Sequence, residues 1–586
     1  MRSAHADGFV RDRLPPADQQ PEFLFDRPEV QYPERLNAAV ELIGKGDSEA
    51  LAVLNDQGRW TYGRMSELSD RIARLLVEEE GLVPGNRVFL RGPNGAMLFA
   101  AWLGILKAGG IVVATMPILR PGEIGTIVER AQVSHAIVDE RTAEDFDKAA
   151  VPTIRSRLTY RGDGGGGELE KRLEAVAPGF EAVDTHRDDV ALIAFTSGTT
   201  GKPKGCIHYH RDILASADAF AGNLLSPRPG ERWACSAPIA FTFGLGQLLI
   251  FPFRFGGTAV TIEAPSPPVL LDAIERHEVN VLATAPTAYK AILGLIAERG
   301  LKAPPLDGEG LGRGGPRDPH SPSSNVTPTL PWAATKAASG GSSHAAHPIK
   351  GEGKEGFDIS SLRICVSAGE HLPAATWHAW KERTGISIVD GIGATEMMHI
   401  FISASGEDIR PGATGKAVPG YRACVLDEED RPLPHGTGRL AVKGPTGCRY
   451  FDDERQRDYV IDGWNVTGDT YRADEEGYFW YVARSDDMII SSGYNIAAPE
   501  VENALYSHPA VQECAVVGAP CEERGQKVKA FVVAAAGQEA GPELASTLQD
   551  HVKAAIAPYK YPREVEFVEA LPKTATGKLQ RFALRG

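Results

Sequence analysis

The chain reads as an α/β protein, with a large N-terminal domain of several subdomains and a small C-terminal α+β domain. Three observations lead there. At 586 residues it exceeds what one hydrophobic core accommodates. From about residue 40 to 300 short apolar runs alternate with helical segments, the pattern of a layered α/β body. Beyond about residue 486 a shorter alternation follows, Val511–Gly518, Val528–Ala536 and Leu544–Ile556, read as a βαβ-type unit of domain size. The expected division is 1–485 and 486–586.

Taken in order, residues 1–35 are Pro-rich and are expected to wrap the body as an extended arm, and Tyr32–Ile43, with apolar residues at helical spacing, is expected to begin a helix. Val88–Leu90, Ile111–Val113, Ala136–Val138 and Val279–Ala283 are the clearest strands. Ala96–Pro117 is apolar enough to raise the membrane question, but Lys107 and Gly109-Gly110 interrupt it, so it reads as buried helix, turn and strand. Gly162–Gly167 looks like a loop expansion. Residues 302–356 hold 10 Gly, 8 Pro and 6 Ser, too little apolar material to bury, and are expected to be a disordered surface insert.

Hydrophobic content of 42% and charged content of 24% are those of a soluble globular protein. The net charge of −15 argues against nucleic acid or an anionic membrane as partner, while leaving room for a local basic patch. Seven scattered cysteines without a CxxC pair suit a reducing compartment and free thiols. The N-terminus has no apolar signal core and the C-terminus no peroxisomal address, so a cytoplasmic monomer or homodimer is expected.

The chemistry centres on Thr196-Ser197-Gly198-Thr199-Thr200-Gly201-Lys202-Pro203-Lys204-Gly205, directly after the apolar run Asp189–Phe195. Glycines let backbone N–H groups turn inward, hydroxyls add donors, and Lys202 and Lys204 add charge, a combination suited to polyphosphate. The spacing is not that of a Walker A loop, and Pro203 stands where that loop needs Ser or Thr. This stretch closely resembles the phosphate loop of the adenylate-forming superfamily of acyl-CoA synthetases, adenylation domains and luciferases, and implies their fold.

Joining a carboxylic acid to AMP also needs a metal to screen charge, a hold on the ribose and a cation for the transition state. In Asp390-Gly391-Ile392-Gly393-Ala394-Thr395-Glu396, Glu396 resembles the family's Mg²⁺-ligating glutamate, with Thr196 beside it. Many members carry Tyr where this chain has Ile392, which keeps an apolar face for adenine and loses the ring. Asp469, in Trp464–Asp469, matches the ribose-binding aspartate; a Thr-Gly-Asp turn alone is common. Arg484 resembles the ribose- and phosphate-side arginine, Asp486 the hinge, and Ser492, Gly493 and Tyr494 the loop that lines the coenzyme A tunnel. Lys578, in Leu571–Lys578, matches the adenylation lysine, a long-stemmed ammonium able to neutralise developing charge. Gly369 and Glu370 should lie by the adenine. The five motifs follow the family's order over 189–578.

The acid is read from fewer residues. Phe241, Thr242, Phe243 and Gly244 correspond to one wall of the acyl pocket, where two aromatics and glycine suit a ring. Ser367, Ala368 and Ala394 supply small opposing groups, and His399 resembles a pocket histidine of benzoate-CoA ligases. The N-terminal arm resembles 2-aminobenzoate- and benzoate-CoA ligases. The implied enzyme uses ATP, Mg²⁺ and coenzyme A to convert an aromatic acid to its CoA thioester through an acyl-adenylate. A stand-alone enzyme loading a carrier protein, an aliphatic acyl-CoA synthetase and a catalytically silent scaffold are the rival readings.

Overall fold

The computed structural model describes residues 3–196, 203–302, 356–484, 488–491, 494–521, 525–556, 558–573 and 579–585. All but the first and last residues of the predicted insert lie outside that set. Its flanks, Leu301–Lys302 and Phe357–Asp358, pair in parallel, so the chain leaves and rejoins the body at one place.

Two sheets form most of the large domain. A six-stranded sheet runs in the order Ser156–Tyr160, His135–Asp139, Arg87–Arg91, Ile111–Thr115, Val190–Thr196, Lys204–Tyr209, parallel except for its last pair. A nine-stranded sheet has Ile364–Ala368 between Val281–Thr284 and Ile388–Gly393, all parallel. Parallel strands covered on both faces need near-continuous apolar runs, which Val-Leu-Ala-Thr and Ile-Cys-Val-Ser-Ala supply. The helix Ala96–Lys107 is buried along its whole length, and its residues join a hydrophobic cluster that takes in strands of both sheets. An element apolar all round belongs between layers rather than on a surface. Ala108 ends it, Gly109 turns at φ +74° and Ile111–Thr115 follows as a strand. No helix among the described residues is long and apolar enough to cross a membrane.

The structure corrects four local expectations. The first helix is only Ala38–Ile43, because the Asn37 side chain accepts from the Ala39 amide and caps it there. The Gly162–Gly167 stretch is more than a loop expansion: Asp163 accepts the Ala96 and Met97 amides and so caps the buried helix. Thr467-Gly468-Asp469 is no turn but lies inside the strand Trp464–Ala473 of an antiparallel sheet. In the small domain Val511–Cys521 and Gly525–Ala534 are antiparallel partners. The βαβ unit runs instead from Gly525–Ala534 through helix Pro542–Ala555 to Glu564–Phe567, parallel to the first strand.

The N-terminal arm crosses the body in short 3-10 turns. Ser3 and the Ala4 amide donate to Asp189, Asp7 pairs with Arg87, and Phe23 bridges Gly444. The small domain rests on the large one where Lys290 Nζ donates to the Gln512 carbonyl at 2.7 Å and sits 4.0 Å from the Tyr506 ring centre.

Candidate active site

The predicted phosphate loop joins the antiparallel strands Val190–Thr196 and Lys204–Tyr209, with Thr196 and Lys204 as register partners. Its two ends are therefore fixed side by side. A Cβ at Gly205 would sit 3.1 Å from Ile193 and 3.3 Å from Phe195, so close packing of the hairpin favours glycine there. Ser197, Gly198, Thr199, Thr200, Gly201 and Lys202 lie outside the described residues.

Glu396 stands on a 3-10 turn, Thr395–Met397, just after the strand Ile388–Gly393. The turn is fastened on two sides. His208 Nε2 lies 2.8 Å from the Thr395 carbonyl, and Thr446 Oγ1 donates to the Met397 carbonyl at 2.8 Å. The ring of His208 is wholly buried, which holds its pKa down at about 4, so at neutral pH it is an uncharged donor. Tyr450 Oη donates to Glu396 Oε1 at 2.5 Å, and Lys204 Nζ lies 3.1 Å from the same Oη. Glu396 Oε2 receives no hydrogen bond among the described residues, and no cluster of three or more His, Cys, Asp or Glu that could hold a metal occurs among them. A cation here would take one or two protein oxygens and the rest from phosphate and water, which is how Mg²⁺ is usually held.

Asp390 and Gly391 lie opposite Ser367 and Ala368 in adjacent parallel strands. Burial pushes the Asp390 carboxyl up to about 8. Ile392 packs on the main core, and a Cβ at Gly393 would stand 2.8 Å from the His399 carbonyl oxygen. Gly369 turns at φ +92° before Glu370, a conformation that favours glycine. Asp469 and Arg484 are register partners on neighbouring strands, and a Cβ at Gly468 would lie 3.1 Å from Arg484 Nη2. Of these groups, Lys204 and Glu396 are far apart in the chain and meet on one tyrosine, Tyr450.

Among the residues predicted to line the acyl pocket, Phe241 precedes the one-turn helix Thr242–Leu245, where a Cβ at Gly244 would lie 2.2 Å from the Pro238 carbonyl oxygen. His399 is 3% exposed, and among the described residues neither ring nitrogen meets a partner in good hydrogen-bond geometry. Its ring is stacked on Phe243 at 5.8 Å, edge-on to Phe251 at 4.6 Å and tilted to Phe220 at 5.3 Å. Desolvation lowers its pKa to about 3, so the imidazole is neutral. A Cβ at Gly246 would come within 2.4 Å of this ring. Asp486, Ser492, Gly493 and Lys578 lie outside the described residues; Tyr494 is described by its backbone alone, opposite Ser491.

Sequence reasoning missed Tyr450, His208, Phe220 and Phe251. Tyr450 lies 54 residues from Glu396 in no recognisable motif. The apolar run Leu248–Phe253 signalled burial but not which ring it would meet.

Two family models match the chain: "AMP-binding enzyme" over residues 42–450 and "AMP-binding enzyme C-terminal domain" over 500–578. The chain is 34% identical to a benzoate–CoA ligase of Thauera aromatica, covering 95% of this chain and 97% of the relative. It superposes on an anthranilate CoA ligase in complex with anthranoyl-AMP with a TM-score of 0.81 at 32% identity, covering 95% and 98% of the two chains. A benzoate CoA ligase from Burkholderia xenovorans LB400 gives a TM-score of 0.77 at 30% identity, over 94% and 100%.

Proposed function

Because this chain belongs to the AMP-binding enzyme family, we propose that it is an AMP-forming ligase that joins an aromatic carboxylic acid, benzoate or 2-aminobenzoate, to coenzyme A. The observation that carries the aromatic reading is the neutral, hydrogen-bond-unsatisfied His399 boxed by Phe220, Phe243 and Phe251. A flat apolar wall with one unsatisfied polar group suits a ring bearing a single polar substituent better than a flexible alkyl chain. The relatives whose names specify benzoate and anthranilate support the same class.

In the first step an aryl carboxylate oxygen attacks the α-phosphorus of ATP; the new P–O bond forms as the bond to the β-phosphate breaks, releasing pyrophosphate. Thr196 to Lys204 hold the phosphates, and Lys578 neutralises charge on the carboxylate and the bridging oxygen. Glu396, with the Thr196 hydroxyl, would hold Mg²⁺, whose contribution is to screen the polyphosphate charge. Asp469 accepts from the ribose hydroxyls and Arg484 flanks them, consistent with their adjacent positions. Gly369, Glu370 and the Asp390–Gly393 strand frame the adenine. In the second step the small domain turns about Asp486, a hinge motion. The thiol of coenzyme A, entering past Ser492–Tyr494, loses its proton and attacks the acyl carbon, and the C–O bond to AMP breaks.

The test is CoA-dependent AMP release across benzoate, 2-aminobenzoate, hydroxybenzoates, phenylacetate and short fatty acids. AMP and thioester forming with the aryl acids alone is the expected result. Turnover with fatty acids refutes the aromatic reading, and pyrophosphate exchange without CoA-dependent turnover favours loading of a carrier protein.

A further inference from the structure

The contact between Tyr450, Lys204 and Glu396 has only one possible hydrogen-bond direction. An ammonium has protons to give and no lone pair to receive one, so at 3.1 Å Lys204 Nζ is the donor and Tyr450 Oη the acceptor. The single phenolic proton then goes to Glu396 Oε1. The result is a polarised chain, ammonium to phenol to carboxylate, in which each bond strengthens the next.

The phenol is held rigidly. Ile207 N donates to the Arg449 carbonyl and Phe451 N to the Gly205 carbonyl, both at 2.8 Å, so Tyr450 is in strand register with the hairpin that carries Lys204. The Tyr450 amide donates to Gln456 Oε1 at 2.8 Å. Its ring is 1% exposed, packed with Cys206 and Cys448 and edge-on to Tyr459 at 5.7 Å. A donor on so fixed a ring selects one orientation of the Glu396 carboxylate and engages only one of its oxygens.

From this we infer that Tyr450 is a positioning residue: its hydroxyl, backed by Lys204, sets the carboxylate of Glu396 to present its other oxygen to the metal–nucleotide complex. The inference rests on the reading of Glu396 as the metal-side carboxylate given above. Tyr450 also ties that carboxylate to the closing end of the phosphate hairpin, so the two halves of the nucleotide site are aligned before nucleotide arrives.

The experiment compares Tyr450→Phe, Glu396→Gln and Tyr459→Phe. The last removes a neighbouring buried hydroxyl that meets no hydrogen-bond partner among the described residues and serves as a packing control. The readout is binding of Mn²⁺ by electron paramagnetic resonance in the presence of α,β-methylene-ATP, without acid or coenzyme A, alongside KM values for the aryl acid and coenzyme A. Loss of a hydrogen bond to a charged group predicts Mn²⁺ binding weakened about tenfold in Tyr450→Phe. The KM values for aryl acid and coenzyme A and the whole Tyr459→Phe profile should stay unchanged. If Glu396→Gln leaves Mn²⁺ binding intact, the reading of Glu396 fails and the inference with it. If Glu396→Gln weakens binding while Tyr450→Phe does not, or if Tyr459→Phe weakens it equally, the positioning role alone is overturned.

Discussion

Arg449 is the residue whose replacement tests the packing beneath the site most sharply. Its Nη1 donates to Asp212 Oδ2 at 2.7 Å, and both side chains are completely buried. The guanidinium lies between two rings, its central carbon 4.1 Å from the Phe23 centroid and 4.0 Å from that of Tyr209. Asp212 also accepts the Tyr209 amide at 3.0 Å. Arg449→Met keeps an apolar stem of similar reach but takes from a buried carboxylate its hydrogen-bonded cation, leaving only Arg211 at 4.0 Å, at a cost of about 3–5 kcal/mol. The lost cation–π contacts belong to that total and account for about 1–2 kcal/mol of it. Asp212→Asn on top of Arg449→Met removes the stranded charge while keeping an acceptor for the Tyr209 amide. The double variant is therefore expected to be more stable than the single Arg449→Met. The assay is urea unfolding followed by tryptophan fluorescence, which reports on the large domain because all eight tryptophans precede residue 486. A single variant within about 1 kcal/mol of the parent would refute the argument, since breaking a dry ion pair costs more than that. So would a double variant whose loss equals the sum of the two single losses, the signature of sites that do not interact.

Other expectations follow from the same geometry. Gly246→Ala places a methyl against His399, whose ring cannot retreat from Phe220, Phe243 and Phe251; the KM for the aryl acid should rise about tenfold, equivalent to about 1.4 kcal/mol of the overpacking cost, with that for coenzyme A unchanged in steady-state kinetics. His210 is buried, accepts the Ala38 amide at Nδ1, and titrates near 3 when folded, whereas the unfolded chain binds its proton near pH 6.5. Its contribution is complete above pH 6.5 and is lost as pH falls toward 3, with a slope of up to about 1.4 kcal/mol per pH unit, so His210→Gln should flatten the acid limb of a stability–pH curve. Lys578→Ala should abolish adenylate formation and spare thioester formation from a supplied acyl-adenylate; equal loss of both rates would refute its assigned role. Lys290→Ala removes the contacts to Gln512 and Tyr506, and limited proteolysis should then release a C-terminal fragment faster.

The parts of the fold legible beforehand were those written in local pattern. The run Val190–Thr196 is apolar and β-branched enough to read as a buried strand, and the interruption at Lys107–Gly110 was enough to turn a membrane candidate into a helix and a strand. Phosphate-loop chemistry is equally local, being a matter of glycine, hydroxyl and lysine in one stretch. What escaped was set by partners distant in sequence. Thr467-Gly468-Asp469 has turn composition yet lies in a strand, bulging between the pairs Arg439–Thr470 and Ala441–Val466 while Asp469 pairs with Arg484. The helix at Ala38 starts late because a single asparagine caps it, and Tyr450 joins the site through a register with residues 205–207 that no spacing rule announces.

The arm's route has a consequence for biosynthesis. Gln19 receives its hydrogen bond from Gln456, Glu22 its ion pair from Lys443, and Phe23 is seated against Arg449. Residues 19–23 are thus made more than four hundred residues before the neighbours that hold them. Closing so long a loop costs only logarithmically in entropy, so the finished molecule loses little by it. The delay itself is the larger effect. Until residues 443–456 emerge, Phe23 lacks the Arg449 guanidinium over its ring, and this stretch of the arm is left for a holding chaperone to grip.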